Sequence, residues 1–468
     1  MKGRLLKDSM MIVDKLKEIV GTSWATSEEE KIIDYLTDET APGIKPQAAT
    51  NVVVVKPADA QEVSKILKMA NVERIPVFPR GGGTGLCGGA IPTRDGIILS
   101  LERLKEVHID TDNLMAVVGA GVTLGELQSK SEEEGLFFSP HPGAESAQVG
   151  GLVACNAGGA RAVKYGVMRN YVRGLEVVMP TGEVINMGGK LIKDNTGYSL
   201  MHLLIGSEGT LGVITQAILR LFPRPAASAT MLVPFHDRHE AIRAVPRIFK
   251  SGIIPLAIEY MDRSTAEGSA ESLGMSWPSK AGSAYLMIII EGNSEEEMLS
   301  ACARFSEICQ ECGGLEPVVG ESKKEQDNIL KIRSNAYLAM KSYIADPLDI
   351  AVPPARIADL MDAIDTIAQR FGTTIPMLGH AGDGNLHPAL LMDLVQGEKS
   401  KLREVKRAIY EKALQLGGTM TAEHGLGKVR TEDLDLFLDE KTIDLMRGIK
   451  KVFDPNGILN PGCVLGAE

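Results

Sequence analysis

The sequence predicts an α+β protein in two folded regions with a short helical tail. Three observations lead there. From Asn51 to about Phe222, β-branched runs alternate with helical patterns; Pro223-Arg224-Pro225 then breaks the pattern; and Ala226 to about Arg430 mixes helices and strands again. At 468 residues the chain exceeds one ordinary core. The expected division is 1–222, 223–430 and 431–468.

The elements follow in order. Met1–Val20 threads Lys, Asp and Glu through its apolar residues, which suits an amphipathic helix and not the uninterrupted apolar core of a signal peptide. Val52–Val55 is a β-branched strand. Asp59 caps a helix that places Val63, Ile66, Leu67 and Ala70 on one face. Ile75–Phe78, Ile97–Leu101 and Ala116–Val118 read as strands, and Thr123 as the N-cap of a helix ending at Gly135. Leu175–Val178 and Val184–Asn186 flank Pro180-Thr181-Gly182, a hairpin signal. A strand over Val213–Phe222 closes the first region, and Pro223-Arg224-Pro225 marks the boundary. After Thr431 a helix pair leads to an irregular end, Asp454–Cys463.

Composition excludes several classes. A net charge of −11 with no basic tract argues against nucleic acid and anionic lipid as partners. No run of 18 apolar residues is present, so no bilayer-spanning helix is expected, and the chain reads as cytoplasmic. Cys302, Cys309 and Cys312 share a helical pattern and raise an Fe–S or zinc site. They lack a nearby fourth ligand, and small core residues are the simpler account. No second redox centre is expected.

The 49 glycines exceed the usual ~7% and concentrate between Gly81 and Gly212. Gly83, Gly85 and Gly88 fit G-x-G-x-x-G, the dinucleotide fingerprint. That fingerprint needs a helix immediately afterwards, and Gly89-Ala90-Ile91-Pro92 opens none. The stretch Pro79–Gly89 instead suits a loop of bare N–H groups around a pyrophosphate. Two further glycine-rich stretches accompany it: Pro142–Gly159, and Gly206-Ser207-Glu208-Gly209-Thr210-Leu211-Gly212-Val213-Ile214. Three such loops suit one long, extended cofactor.

Eight histidines are present, and three fall in two motifs. His380 and His387 flank Gly382, Asp383 and Gly384, a loop tight enough to turn both imidazoles to one point. Glu423 arrives from a distant segment. Two histidines and one carboxylate leave positions open on a divalent cation.

Pro79–Gly85, Asn156–Gly159 and Gly206–Ile214 closely resemble the FAD-binding domain of the vanillyl-alcohol oxidase superfamily. His380–His387, Ala422-Glu423-His424-Gly425 and Asn460-Pro461-Gly462 resemble the branch holding D-lactate dehydrogenases, the glycolate oxidase catalytic subunit and D-2-hydroxyglutarate dehydrogenase. The resemblance runs from about Asn51 to Cys463. It implies a vanillyl-alcohol-oxidase-type FAD-binding domain, an α+β substrate (cap) domain and a C-terminal segment returning to the first.

By that resemblance, Arg80, Gly81, Gly82, Gly83, Thr84 and Gly85, with Pro142, Gly143 and Ser146, hold the FAD pyrophosphate, and Gly150 also binds the cofactor. Asn156, Gly158, Gly159, Glu208, Gly209, Gly212 and Ile214 line the rest, and Asn460 closes the site. No histidine occupies the first loop, so the flavin is expected to be non-covalent, although Cys87 and Cys155 lie close in sequence. His380, His387 and Glu423 hold Zn, Fe, Mn or Co. His424 is the base and Arg333 binds the substrate carboxylate. The metal is expected to lower the pKa of the substrate hydroxyl.

Members that accept D-2-hydroxyglutarate carry a lysine and an asparagine where this chain has Pro347 and Ala389. Their absence favours a monocarboxylate, D-lactate before glycolate, while Lys341 keeps the diacid open. Two rivals of other classes fit less well. An ether-lipid synthase of this fold relies on adjacent histidines, and here no two are adjacent. A non-catalytic flavin-domain assembly subunit lacks the metal histidines, which this chain retains. The electrons are expected to pass to an electron-transfer flavoprotein, an Fe–S subunit, a quinone or a cytochrome.

Overall fold

The computed structural model describes residues 2–320, 322–395 and 399–466. The first helix spans Lys2–Val20; Met1 lies outside the described residues. Val13, Leu16 and Val20 on this helix join a core with Val53, Ile66, Leu67 and Ile97.

The first region holds two main sheets. Val52–Val55 pairs in parallel with Gly96–Ser100, which pairs in parallel with Val77–Arg80; Ala25–Thr26 adds an antiparallel edge. The helix Ala60–Glu73 makes the crossover, and Asp59 accepts from the Glu62 N–H as its cap. The third strand starts two residues later than its apolar run suggests. Arg74 ends the helix in the left-handed region at φ 54°, and the Ile75 N–H turns back to the Ala70 carbonyl. Pairing with the neighbouring strand begins at Pro76, whose carbonyl accepts from the Ile97 N–H.

The second sheet has five antiparallel strands in the order 107–110, 115–119, 213–220, 172–178 and 184–188. Thr123 and Glu126 form a full capping box on the helix Leu124–Glu133. Residues 81–95 contain no helix, so the dinucleotide fingerprint is not used as one.

From Ala227 to Leu391 the strands build a sheet of eight. Its centre runs Ala227–Phe235, Ala284–Gly292, Ala257–Asp262, Met377–His380 and Asn385–Leu391, all antiparallel. The helix Glu295–Glu311 packs on one face, with Cys302 and Cys309 in the core beside Cys312. The three cysteines are therefore packing residues. In the tail, the helix Glu440–Phe453 lays Ile449 and Phe453 against the first region's core, and Leu459 bridges to Val77. Among the described residues no helix is long and apolar enough to cross a membrane.

Candidate active site

Sheet register places the first two histidines. Met377–His380 and Asn385–Leu391 form a hairpin pairing Leu378 with His387 and His380 with Asn385. Paired residues share a face of the sheet, and so do residues two apart on one strand. His380 and His387 therefore emerge on the same face, with ring centroids 5.3 Å apart. The turn between them needs Gly384 at φ 93°, where a Cβ would collide with the Val352 carbonyl.

On the other side of His380 the register pairs it with Glu259. His380 Nδ1 lies 2.7 Å from Glu259 Oε1, which leaves Nε2 facing Glu423 Oε1 at 3.2 Å. His387 Nε2 and His424 Nε2 approach the same oxygen at 3.5 and 3.7 Å. Three imidazoles thus converge on one carboxylate. His387 and His424 stack at 5.1 Å.

The loop carrying Glu423 and His424 is organised by Asp349. One of its oxygens accepts from the Thr421 hydroxyl and from the N–H groups of Ala422, Glu423 and His424, all at 2.8–2.9 Å. The other accepts from Asn385 Nδ2 at 3.0 Å. Burial pushes the Asp349 carboxyl up, but His424, His387 and these amides hold it far below the usual range. The loop is also fastened to the first region. Glu208 accepts from the N–H groups of Leu426 and Gly427 at 2.9 Å.

The electrostatics separate the histidines. Burial lowers His380, but Glu259 and Glu423 outweigh it and hold the ring well above its ordinary value. His387 is pushed down to about 4 by burial and by the neighbouring charges of His424 and His380. Glu423 resists burial and falls to about 2 under the charges of His380, His387 and His424. One ligand atom each from Asp349, His387, Glu423 and His424 lies within 4.8 Å of the others. His380 stands just outside that set, joined through Glu423.

Arg333 projects from the helix Lys323–Met340, which packs on Arg263–Ser272 through Ser269. Its Nη2 lies 2.6 Å from Glu259 Oε2. That contact is an ion pair: both Nε and Nη2 are buried and neither makes a hydrogen bond among the described residues.

These groups wall a cleft of about 1280 Å³ together with Thr84, Pro142, Gly143, Ser146 and Gly159. That exceeds the roughly 300–1,000 Å³ of most small-molecule sites and suits a dinucleotide with a small substrate. A Cβ on Gly143 would meet nothing within 4 Å, so this wall is bare backbone facing open space. A Cβ on Gly82 would stand 2.7 Å from the Ser146 carbonyl, which places the first two glycine loops in contact. A Cβ on Gly158 would stand 2.9 Å from Glu423 Oε2, which brings the far end of the second loop against the histidine cluster.

Most of the other expected cofactor residues stand behind the wall. Arg80 donates to the carbonyls of Asp34, Tyr35 and Thr37. Asn460 donates to the carbonyls of Gly89 and Glu208, and Asn156 accepts from the Arg169 N–H. Ile214 lies in the apolar core, Gly212 against Val177, Gly209 against Pro79, and Gly150 against Ala120. Gly81 lies against Gly151, Gly83 against the Arg80 guanidinium, and Gly85 has open space around it. With the side chains of Arg80, Glu208, Asn460 and Ile214 committed inside the protein, any contact they make with a cofactor runs through backbone.

Two residues escaped the sequence reading as site residues. Glu259 sits in Ala257-Ile258-Glu259-Tyr260-Met261, and Asp349 in Leu348-Asp349-Ile350. A carboxylate set between apolar neighbours, inside a strand for Glu259 and between two short strands for Asp349, is itself the signal, because a buried charge requires partners.

The fold and the cleft define a flavin-dependent oxidoreductase, and comparison with known proteins agrees. Residues 52–188 match the FAD binding domain family, and residues 224–464 match FAD linked oxidases, C-terminal domain. The chain belongs to the FAD-linked oxidases. It is 44% identical over 431 residues to a D-lactate dehydrogenase of Archaeoglobus fulgidus, covering 92% of this chain and 95% of that protein. It is 36% identical over 416 residues to glycolate oxidase subunit GlcD of Bacillus subtilis, covering 87% and 88%. Among solved structures, p-cresol methylhydroxylase with substrate bound superposes with a TM-score of 0.77 at 17% identity, over 98% of this chain and 96% of that one. That likeness shows the fold, which is of the vanillyl-alcohol oxidase type.

Proposed function

We propose that the protein oxidises a small D-2-hydroxy acid, D-lactate first and glycolate second, to the 2-oxo acid. The observation that carries this reading is the convergence of His380, His387 and His424 on Glu423 beside Arg333, in the cleft that the glycine loops also wall. The names of the two relatives support the substrate class. FAD held in the cleft supplies the two-electron chemistry. His380, His387 and Glu423 would hold a divalent cation, which would supply Lewis acidity toward the substrate hydroxyl. The donor set fits Zn, Fe or Mn: two imidazole Nε2 atoms already face one ionised carboxylate oxygen.

The remaining tasks fall to the chain's own side chains. Arg333 binds the substrate carboxylate, and its unpartnered buried Nε is a donor for that purpose. His424 accepts the hydroxyl proton as general base. In all the acid gives up two electrons and two hydrogens, one as the hydroxyl proton and one from C2 with its electron pair, for which bound FAD would be the acceptor. Ile344, Pro347 and Ala389 line the same cleft with apolar surface, and Pro347 pairs directly with Ala389. Lys341 is ion-paired with Glu39. None of Ile344, Pro347 and Ala389 offers a charged or polar side chain to a second carboxylate, so burying one against them would be costly.

Anaerobic stopped-flow bleaching of the flavin tests the substrate. D-lactate or glycolate should reduce it well ahead of D-2-hydroxyglutarate, and L-lactate should be poor. Fast reduction by D-2-hydroxyglutarate alone would refute the reading of Pro347 and Ala389.

The flavin should also leave the protein on acid precipitation. Neither Cys87 nor Cys155 is among the residues that wall the cleft, and burial pushes both thiols up, which disfavours the thiolate a covalent link would need. Yellow colour retained in the washed pellet would mean a covalent link.

Electrons then pass to a partner protein, an electron-transfer flavoprotein or Fe–S subunit, or to a quinone. The naming of one relative as an oxidase subunit supports a protein partner. Six free thiols suit a reducing compartment and support the cytoplasm as the location.

A further inference from the structure

Glu259 is 1% exposed, and its neighbours Ile258 and Tyr260 are buried with it. An ionised carboxylate persists in such a place only where donors surround it. Here the donors belong to two different working parts of the site. His380 Nδ1 lies 2.7 and 2.9 Å from its two oxygens, and Arg333 Nη2 lies 2.6 Å from Oε2. Burial pushes the carboxyl up, but the charges of Arg333 and His380 hold it below its usual value. Both donors lie on the cleft wall, as does Glu259.

We propose that Glu259 is a positioning residue that sets metal retention against hydroxy-acid affinity, by dividing one negative charge between His380 and Arg333. The inference rests on the metal and substrate roles given above to those two residues. On the His380 side, a carboxylate accepting the Nδ1–H fixes the ring with Nε2 toward Glu423 and makes that nitrogen a better ligand. On the other side, Arg333 draws on the same charge. It limits the basicity lent to His380, and in turn presents less positive potential to an anion. Only a carboxylate serves both contacts. Both partners are donors, so an amide would set its own NH₂ against one of them.

The two partners respond with opposite signs, and this gives the test. The protein is loaded with FAD and zinc and challenged with a chelator. Glu259→Gln should hold zinc about 10–100-fold less tightly, the range for losing an outer-shell partner. Glu259→Asp keeps the charge one methylene short and should fall between Gln and wild type. Arg333→Met leaves Glu259 wholly to His380. It should hold zinc at least as tightly as wild type, while KM for the hydroxy acid rises.

A carboxylate that merely supports the fold would lose zinc in the Glu259 and Arg333 variants alike. Wild-type zinc retention in Glu259→Gln overturns the proposal. So does weakened retention in Arg333→Met, whether or not the Gln variant folds. If the wild type itself retains no zinc, the metal assignment fails and takes this inference with it. If the wild type retains zinc and oxidises hydroxy acids while the variants depart from these signs, this inference alone fails.

Discussion

His424→Asn is expected to slow anaerobic flavin reduction by roughly 10²–10⁴-fold, the range for losing a general base. The argument begins from what the substitution leaves in place. The main-chain N–H of residue 424 still donates to Asp349, so the loop that presents Glu423 keeps its support. Glu423, His380 and His387 remain, and so does Arg333. What disappears is the imidazole stacked on His387, whose Nε2 lies 3.7 Å from Glu423 Oε1. An asparagine side chain cannot take a proton near neutral pH. Substrate binding should therefore suffer far less than the rate, and the two are separated by the dependence of flavin bleaching on substrate concentration. An unchanged limiting rate would assign the proton to a different base. A loss confined to binding would make His424 a binding residue.

Asp349→Asn should have the largest effect on stability. Asp349 is fully buried, and one of its oxygens accepts four hydrogen bonds from residues 421–424. His424, His387 and these four donors together hold the buried carboxylate in its ionised form. Asparagine keeps one acceptor and turns an NH₂ toward donors. Removing one partner from a buried charged cluster costs about 3–5 kcal/mol. The variant should lose that stability in urea denaturation at neutral pH, and lose bound metal because Glu423 and His424 are no longer held.

The sign of the pH dependence follows. The folded value of Asp349 is depressed, so its contribution is present above the unfolded carboxylate value of about 3.9 and is lost as pH falls toward the folded one. The gap between wild type and variant should be full at pH 7 and narrow below about pH 4. A gap that is absent at pH 7, or that widens in acid, would show that the charge on Asp349 does not organise the loop.

What the sequence determined by itself is what depends on near neighbours. Asp59 and Thr123 cap helices because a side-chain oxygen reaches an N–H three residues on. Gly382-Asp383-Gly384 turns a hairpin, and strand alternation then puts His380 and His387 on one face. The glycine loops were legible for the same reason, since a stretch without side chains is visible without knowing what lies opposite. The first miss, the start of the strand at Val77, came from a backbone state at Arg74 that composition does not reveal.

Only the tertiary structure decided which polar groups face the cleft and which are turned inward. Arg80, Glu208 and Asn460 lie in or beside the glycine loops and the tail, yet their side chains tie distant segments together. Glu259 reaches His380 across 121 residues of chain, and Asp349 reaches His424 across 75. Such partners are chosen by sheet order and by the burial of charge. A carboxylate in an apolar strand announces that it must be paired, but only the packing of the sheet against the helix of Arg333 shows with what.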